Sequence, residues 1–110
     1  NGDAKEKLDF TYIEDLIQGI KLCITKKQAI NQTFNITYGK GQSVIKLVNI
    51  LSKYFPKIKI KYKKRDKLMP VRGSLDISNA KKLLKYNPKY PLDSGYPKYI
   101  EWYLNFAKKL

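Results

Sequence analysis

The first regular pattern of apolar positions lies near the amino-terminal end of the chain. Five residues recur at a period close to 3.6 and share one stripe: Ile13, Leu16, Ile17, Ile20 and Ile24. Glu14 and Asp15 stand in the first turn, where the helix dipole favours negative charge. The pattern predicts an amphipathic helix over residues 14–25.

A second helical pattern follows the Gly39-Lys40-Gly41 turn. Its apolar face is formed by Val44, Leu47, Val48, Leu51 and Phe55. Ser43 precedes it as a suitable N-cap residue, and Pro56 ends it.

Two further helices are expected near the carboxy-terminal end. Asp76 is expected to cap a short helix that runs to Leu84. Pro97 would break a helix interior, so the last helix is predicted to begin near Tyr96, with the proline in its first turn. Its inward residues would be Tyr99, Ile100, Tyr103, Phe106 and Leu110.

Three segments have the composition of strands. Residues 8–13 and 33–38 are rich in β-favouring side chains, and residues 57–63 alternate lysine with Ile58, Ile60 and Tyr62. The alternating segment has two interpretations. It is either a basic ribbon for nucleic acid or a solvated strand whose lysines prevent edge pairing. Strands mixed with four helices predict an α/β fold.

Charge and chemistry narrow the functional classes. The formal charge is +14 and favours polyanions, although only Arg65 and Arg72 among 23 basic residues are arginine. A basic nucleic-acid-binding module is therefore an alternative function. The absence of histidine and the single cysteine, Cys23, exclude an ordinary zinc site and a Ser-His or Cys-His nucleophile. No apolar run is long enough to span a membrane, and a cytoplasmic location is expected.

Several segments, in order, resemble one enzyme family. Residues 8–15 (LDFTYIED), 34–39 (FNITYG), 72–81 (RGSLDISNAK) and 100–103 (IEWY) are similar to the motifs of extended short-chain dehydrogenases that act on nucleotide sugars. The resemblance covers nearly the whole chain. It identifies residues 1–110 as the carboxy-terminal, substrate-binding portion of an NAD(P)-dependent epimerase or dehydratase with a Rossmann-type fold.

The same resemblance implies parts that this sequence does not contain. The family's Gly-rich dinucleotide turn and its Ser/Thr–Tyr–Lys catalytic set are not found, and Tyr99 has Tyr103 where the lysine would stand. The chain, which does not begin with methionine, is accordingly expected to be an excised piece without its Rossmann domain. We expect no catalytic, cofactor-binding or metal-binding residue here, with NAD or NADP bound in the intact enzyme. The orphaned apolar surface of residues 14–25 and 33–38 is expected to promote self-association.

Three residues are candidates for the nucleotide-sugar site. Arg65 matches the family's loop arginine that holds the diphosphate, whereas Leu8 replaces the second arginine and Leu68 replaces an acidic residue. Lys7 could supply a point charge in its place. Arg72 either joins the site or pairs with Asp76. Phe10 either contacts substrate or fills the core, and Asp9 is expected to be a structural hydrogen-bonding residue.

Overall fold

In the computed structural model, which describes residues 5–109, four helices accompany one short antiparallel sheet. The elements are β1 (Lys7–Leu8), α1 (Ile13–Thr25), β2 (Gln42–Ser43), α2 (Val44–Tyr54), α3 (Ser78–Leu84) and α4 (Leu92–Lys108). A 3-10 turn, Lys27–Ala29, follows α1. In the sheet, Lys7 pairs with Ser43 and Leu8 with Gln42. The predicted α/β class is confirmed.

The first two helices begin within one residue of the predicted positions. α1 starts at Ile13 and carries Glu14 and Asp15 in its first turn. At α2 the Ser43 hydroxyl accepts a hydrogen bond from the backbone N–H of Lys46 at 3.3 Å, so the predicted N-cap is confirmed. α2 ends at Tyr54, two residues before Pro56.

The predicted cap of α3 is displaced by one residue. Ile77 occupies the N-cap position, and the Asp76 carboxylate accepts from the backbone N–H of Ser78 at 2.9 Å and from its hydroxyl. These two hydrogen bonds, the hydroxyl's first, lower the pKa of Asp76. Lys85 ends the helix with a φ of 58°, a left-handed conformation in which glycine would be less strained.

The predicted start of α4 is wrong. The helix begins at Leu92, four residues earlier, so Pro97 lies inside it. The interior proline removes only the hydrogen bond to the Asp93 carbonyl, and Asp93 is exposed to water. The predicted inward face is also largely wrong. Ile100 is buried, but Tyr99, Tyr103 and Phe106 are 48–51% exposed, and Leu110 lies outside the described residues.

The three predicted strands form little regular sheet. Only Lys7–Leu8 pairs near the predicted 8–13 strand, and residues 33–38 and 57–63 belong to no ladder in the described part of the chain. Composition favours extended backbone in these segments, but a strand also requires a partner to bond its N–H and C=O groups. The strand predictions for 33–38 and 57–63 are therefore wrong for this structure.

The core is divided into two apolar clusters. One joins α3 to α1 and consists of Ile77, Ala80, Leu84 and Tyr86, with partly buried neighbours that include Cys23, Phe34 and Ile36. The other joins α2 to α4 and consists of Ile50, Leu92 and Ile100, with neighbours that include Phe10 and Leu47. The molecule measures 49 × 41 × 21 Å, and its radius of gyration is 16.7 Å, against about 13 Å for a compact domain of this length. It is a flat slab.

α1 packs on the slab through the face opposite its isoleucine stripe. Its buried residues are Asp15 and Gly19. The isoleucines at 13, 17, 20 and 24 remain 46–78% exposed. Exposure of this helix's apolar surface, as expected from the sequence, is confirmed, whereas Phe34 and Ile36 of segment 33–38 pack partly against the core.

Gly19 allows α1 to approach Ile36 closely. A Cβ at position 19 would overlap Cγ2 of Ile36 and lie 3.0 Å from its Cδ1. We expect Gly19→Ala to lower the free energy of unfolding by about 1–3 kcal/mol, despite the better helix propensity of alanine. Urea denaturation followed by circular dichroism measures this change.

Gly73→Ala is the matched control, because a Cβ there meets nothing within 4 Å. Its free energy of unfolding should change by less than about 0.5 kcal/mol. If Gly19→Ala instead stabilises the chain, α1 does not pack on Ile36.

Tyr86 makes the stability of the fold depend on pH in the alkaline range. Its ring is 2% exposed, and its hydroxyl donates to the Thr37 carbonyl at 2.9 Å. Burial first, and then the charges of Asp15 and Asp9, raise its pKa to about 12. The folded chain therefore holds this proton more tightly than the unfolded chain, whose tyrosines titrate near pH 10. The resulting stability is complete below pH 10 and is lost as the pH rises towards 12.

Tyr86→Phe removes both the titration and the hydrogen bond. At neutral pH the variant should be less stable than the parent by about 1 kcal/mol. Between pH 10 and 12 the parent should lose this advantage, because Tyr86 ionises when the parent unfolds and the phenylalanine of the variant does not. Urea denaturation of both proteins across this range provides the comparison, and a pH-independent difference would contradict the burial of Tyr86.

Candidate functional site

Arg65 is held at two points of its guanidinium group. Nη1 lies 3.0 Å from Oε1 of Glu6, just before β1, and Nη2 donates to the Met69 carbonyl at 2.8 Å. The Asp66 carboxylate closes the turn between Arg65 and Met69, because it accepts a hydrogen bond from the backbone N–H of Leu68. The Arg65 side chain is 25% exposed, so it lies against the molecule and does not extend into solvent.

Arg65 and Arg72 come together in one shallow depression. The depression has a volume of about 360 Å³ and is lined by Lys5, Glu6, Lys7, Arg65, Val71 and Arg72. Four of these six residues are basic, and we call this feature the basic depression. The alternative that Arg72 pairs with Asp76 is wrong, since no ion pair joins them and the Asp76 carboxylate bonds Ser78.

Phe10 lies elsewhere. It is half-buried and packs against the cluster of Ile50, Leu92 and Ile100. It also lines a second depression of about 330 Å³ between residues 10–13 and the start of α4. The basic depression does not include it. The core-filling role is thus the one that the structure supports, and substrate contact by Phe10 stays a prediction.

Asp9 joins its own segment to two others through hydrogen bonds. Its carboxylate accepts from the Thr37 hydroxyl at 2.8 Å and from the backbone N–H groups of Gly39 and Leu75, each at 3.1 Å. Three separate segments therefore meet at one side chain. The prediction that Asp9 is a structural hydrogen-bonding residue is confirmed.

The sequence does not reveal the roles of two acidic residues. Nothing in it distinguishes Glu6, and Asp15 is predicted only to interact favourably with the helix dipole. In fact Asp15 is 1% exposed, and its carboxylate accepts from the backbone N–H groups of Lys89 and Tyr90 at 2.7 and 2.9 Å. The sequence contains nine acidic residues against 23 basic ones. This scarcity is the one feature of the sequence that indicates a specific partner for each carboxylate.

Residues 5–109 contain neither a membrane-spanning helix nor a group of metal-ligating side chains. No helix there combines the length and apolar character needed to cross a bilayer. Within the same residues, no three histidine, cysteine, aspartate or glutamate side chains group together as metal ligands would.

Comparison with known proteins identifies related enzymes. No family model matches the chain. An uncharacterized UDP-glucose epimerase of Bacillus subtilis is 35% identical over 96 residues, which are 86% of this chain and 30% of that protein. UDP-glucuronic acid 4-epimerase from Bacillus cereus, solved in complex with NAD, is 34% identical with a TM-score of 0.70, over 86% of this chain and 30% of its own.

A third relative extends the structural match. UDP-glucose 4-epimerase from Thermotoga maritima, solved with UDP-glucose, has a TM-score of 0.83 at 27% identity and covers 96% of this chain and 34% of its own. The chain thus spans about a third of the length of these relatives. It belongs to the extended short-chain dehydrogenase/reductase family and corresponds to the carboxy-terminal portion of the nucleotide-sugar epimerases in that family.

Proposed function

We propose that this chain supplies the nucleotide-sugar-binding portion of an NAD(P)-dependent nucleotide-sugar epimerase or dehydratase. The three relatives described above are named as epimerases of UDP-sugars, which favours epimerisation. The chain's own contribution is to bind and orient the substrate. Removal and return of a hydride at a sugar carbon belong to the intact enzyme.

The basic depression is the observation that carries this proposal. A nucleotide sugar has two linked phosphates, each with negative charge, and a guanidinium binds such groups through parallel charge-assisted hydrogen bonds. The depression presents Arg65, Arg72 and Lys7 from two segments, and its volume of about 360 Å³ suits part of such a ligand. The Arg65–Glu6 ion pair, 3.0 Å long, joins these two segments.

The nicotinamide cofactor has no fitting residues in this chain. The 110 residues contain no Gly-rich dinucleotide turn that could bring backbone N–H groups to a pyrophosphate, and no Tyr-x-x-x-Lys pair. We therefore assign NAD or NADP to the rest of an intact enzyme and expect the chain alone to be inactive.

Calorimetric titration of the chain tests this proposal with three probes. UDP should bind saturably, uridine should bind much more weakly because it has no phosphate, and NADH should not bind at micromolar concentrations. Single-stranded DNA tests the alternative of a nucleic-acid-binding module. Tight DNA binding with a steep dependence on salt concentration, together with no preference for UDP over uridine, would replace the proposal with that alternative.

The exposed isoleucine stripe of α1 should cause self-association. Four isoleucines at 46–78% exposure form an apolar surface that soluble monomers rarely leave uncovered. We expect the chain to form dimers or larger species at high concentration and Ile17→Glu to shift it towards monomer. Sedimentation velocity measures the change, and Lys53→Glu, on the exposed side of α2, is the matched control. A monomeric parent at millimolar concentration would contradict this expectation.

A further inference from the structure

Residues 57–63, which we call the lysine segment, have the composition of a strand but no strand partner. Within residues 5–109 they belong to no ladder, and the N–H and C=O groups of residues 59–63 make no backbone hydrogen bond. None of them has a positive φ, and all their side chains are exposed. An open row of N–H and C=O groups is a template for pairing with another chain.

The structure holds the lysine segment at both of its ends. At its start, the backbone N–H of Ile58 donates to the Phe55 carbonyl at 3.0 Å, in the turn that follows α2. Just beyond its end, the Arg65 guanidinium lies 3.0 Å from the Glu6 carboxylate. Because both ends are fixed, less conformational entropy is lost when a partner strand pairs with the residues between them.

The two faces of the lysine segment differ in charge. Side chains alternate along a strand, so four lysines would lie on one face and Ile58, Ile60 and Tyr62 on the other. The segment contains no acidic residue. Like charges directly opposite each other destabilise a pair of strands, whereas opposite charges stabilise it. The lysines therefore disfavour pairing with a second copy of the segment and favour an acidic strand.

An apolar depression adjoins the start of the lysine segment. It has a volume of about 530 Å³ and is lined by Tyr54, Phe55, Pro56, Lys57 and Ile58. Lys57 is the only charged residue in this lining. A partner strand that runs past Ile58 can bury an apolar side chain there, so the partner should contain apolar as well as acidic residues.

Single-stranded nucleic acid is a poorer match for the lysine segment. Binding by base stacking uses successive aromatic rings, and Tyr62 is the single aromatic residue of the segment. A nucleic acid would neutralise the lysines, but it would leave the N–H and C=O groups of residues 59–63 without strand hydrogen bonds. A peptide strand satisfies both the charges and the backbone.

We propose that the lysine segment docks an extended acidic segment of a partner protein, which adds to it as a strand and alternates acidic with apolar residues. Backbone hydrogen bonds supply affinity in this arrangement, and the pairs of lysine with carboxylate supply selectivity. None of residues 57–63 lines the basic depression, so the inference is independent of the proposed function.

Two synthetic peptides of equal composition test the proposal. One alternates glutamate with valine, and the other carries the same glutamates in one block and the same valines in the next. The alternating peptide should bind the chain about tenfold or more tightly than the block peptide, because only its glutamates match the lysine spacing. It should also slow the amide hydrogen exchange of alternate residues within 57–63, as measured by NMR.

Charge reversal provides a second test with a matched control. The double variant Lys59→Glu, Lys61→Glu should bind the alternating glutamate peptide about tenfold or more weakly and should bind a peptide that alternates lysine with valine. The control, Lys21→Glu with Lys53→Glu, changes the net charge equally at exposed positions of α1 and α2 and should lose less than about threefold. Circular dichroism checks that both variants are folded.

Several results would overturn the proposal. Equal affinity for the block peptide, or an equal loss in the control variant, would show attraction by net charge alone. Unchanged amide exchange in residues 57–63 would exclude strand addition, and this measurement needs no variant. Single-stranded DNA that binds these residues more tightly than the alternating glutamate peptide would assign the lysine segment to nucleic acid instead.

Discussion

Arg65→Lys is expected to weaken UDP binding by about 1–2 kcal/mol, and Arg65→Ala by about 2–4 kcal/mol. Lysine keeps the charge but cannot form two parallel hydrogen bonds to a phosphate, whereas alanine removes the charge as well. The loss should be large because Leu8 offers no second arginine from the strand. Calorimetric titration of the parent and both variants measures it.

The structure adds a condition to this experiment. Arg65 is paired with Glu6, and the two side chains are only 25% and 22% exposed, so its removal should also cost up to about 1 kcal/mol of stability. The titrations therefore belong at a temperature at which all variants are folded. Lys53→Ala, which removes one exposed charge from α2, controls for net charge. Equal UDP affinity in the three proteins would remove Arg65 from the site.

Asp15→Ala is expected to lower the free energy of unfolding by about 2–4 kcal/mol. The carboxylate is 1% exposed and bonds the backbone N–H groups of Lys89 and Tyr90 in the link between α3 and α4. Alanine would leave both donors without a partner. α1 would then hold this link through the two hydrogen bonds between Gln18 and Asn87, each 2.8 Å long, without the contribution of the carboxylate.

Asp15→Asn provides a finer test of the same contact. Its amide keeps one acceptor oxygen but places an NH₂ group against the second backbone donor, so its cost should also exceed about 1 kcal/mol. Glu101→Ala, at an exposed position of α4, should change the stability by less than about 0.5 kcal/mol. Urea denaturation yields all three values. An Asp15→Ala variant as stable as Glu101→Ala would show that the carboxylate does not hold the link.

The helices could be predicted where local signals determine them. The isoleucine spacing of α1 and the Ser43 cap of α2 are visible in a few neighbouring residues, and both are confirmed. The start of α4 could not be predicted from neighbouring residues. Pro97 is a helix breaker by rule, yet at this position the one carbonyl that it frees lies on an exposed residue.

Strand pairing and the site contacts depend on distant parts of the chain. Segments 33–38 and 57–63 have strand composition, but no local signal says whether a partner strand lies beside them. The Arg65–Glu6 ion pair and the Asp9–Leu75 hydrogen bond likewise join residues that are far apart in sequence. The family resemblance predicted Arg65, but the position of Arg72 beside it follows only from the folded loop.

Mapping UDP on the chain by amide chemical shifts in two-dimensional NMR tests the diphosphate site most directly. UDP should cause saturable shifts concentrated in residues 5–7 and 65–72, around the basic depression, and uridine at the same concentration should cause much smaller ones. Shifts spread over the lysines of the whole surface, or concentrated on the aromatic residues of α4, would contradict a diphosphate site in the basic depression.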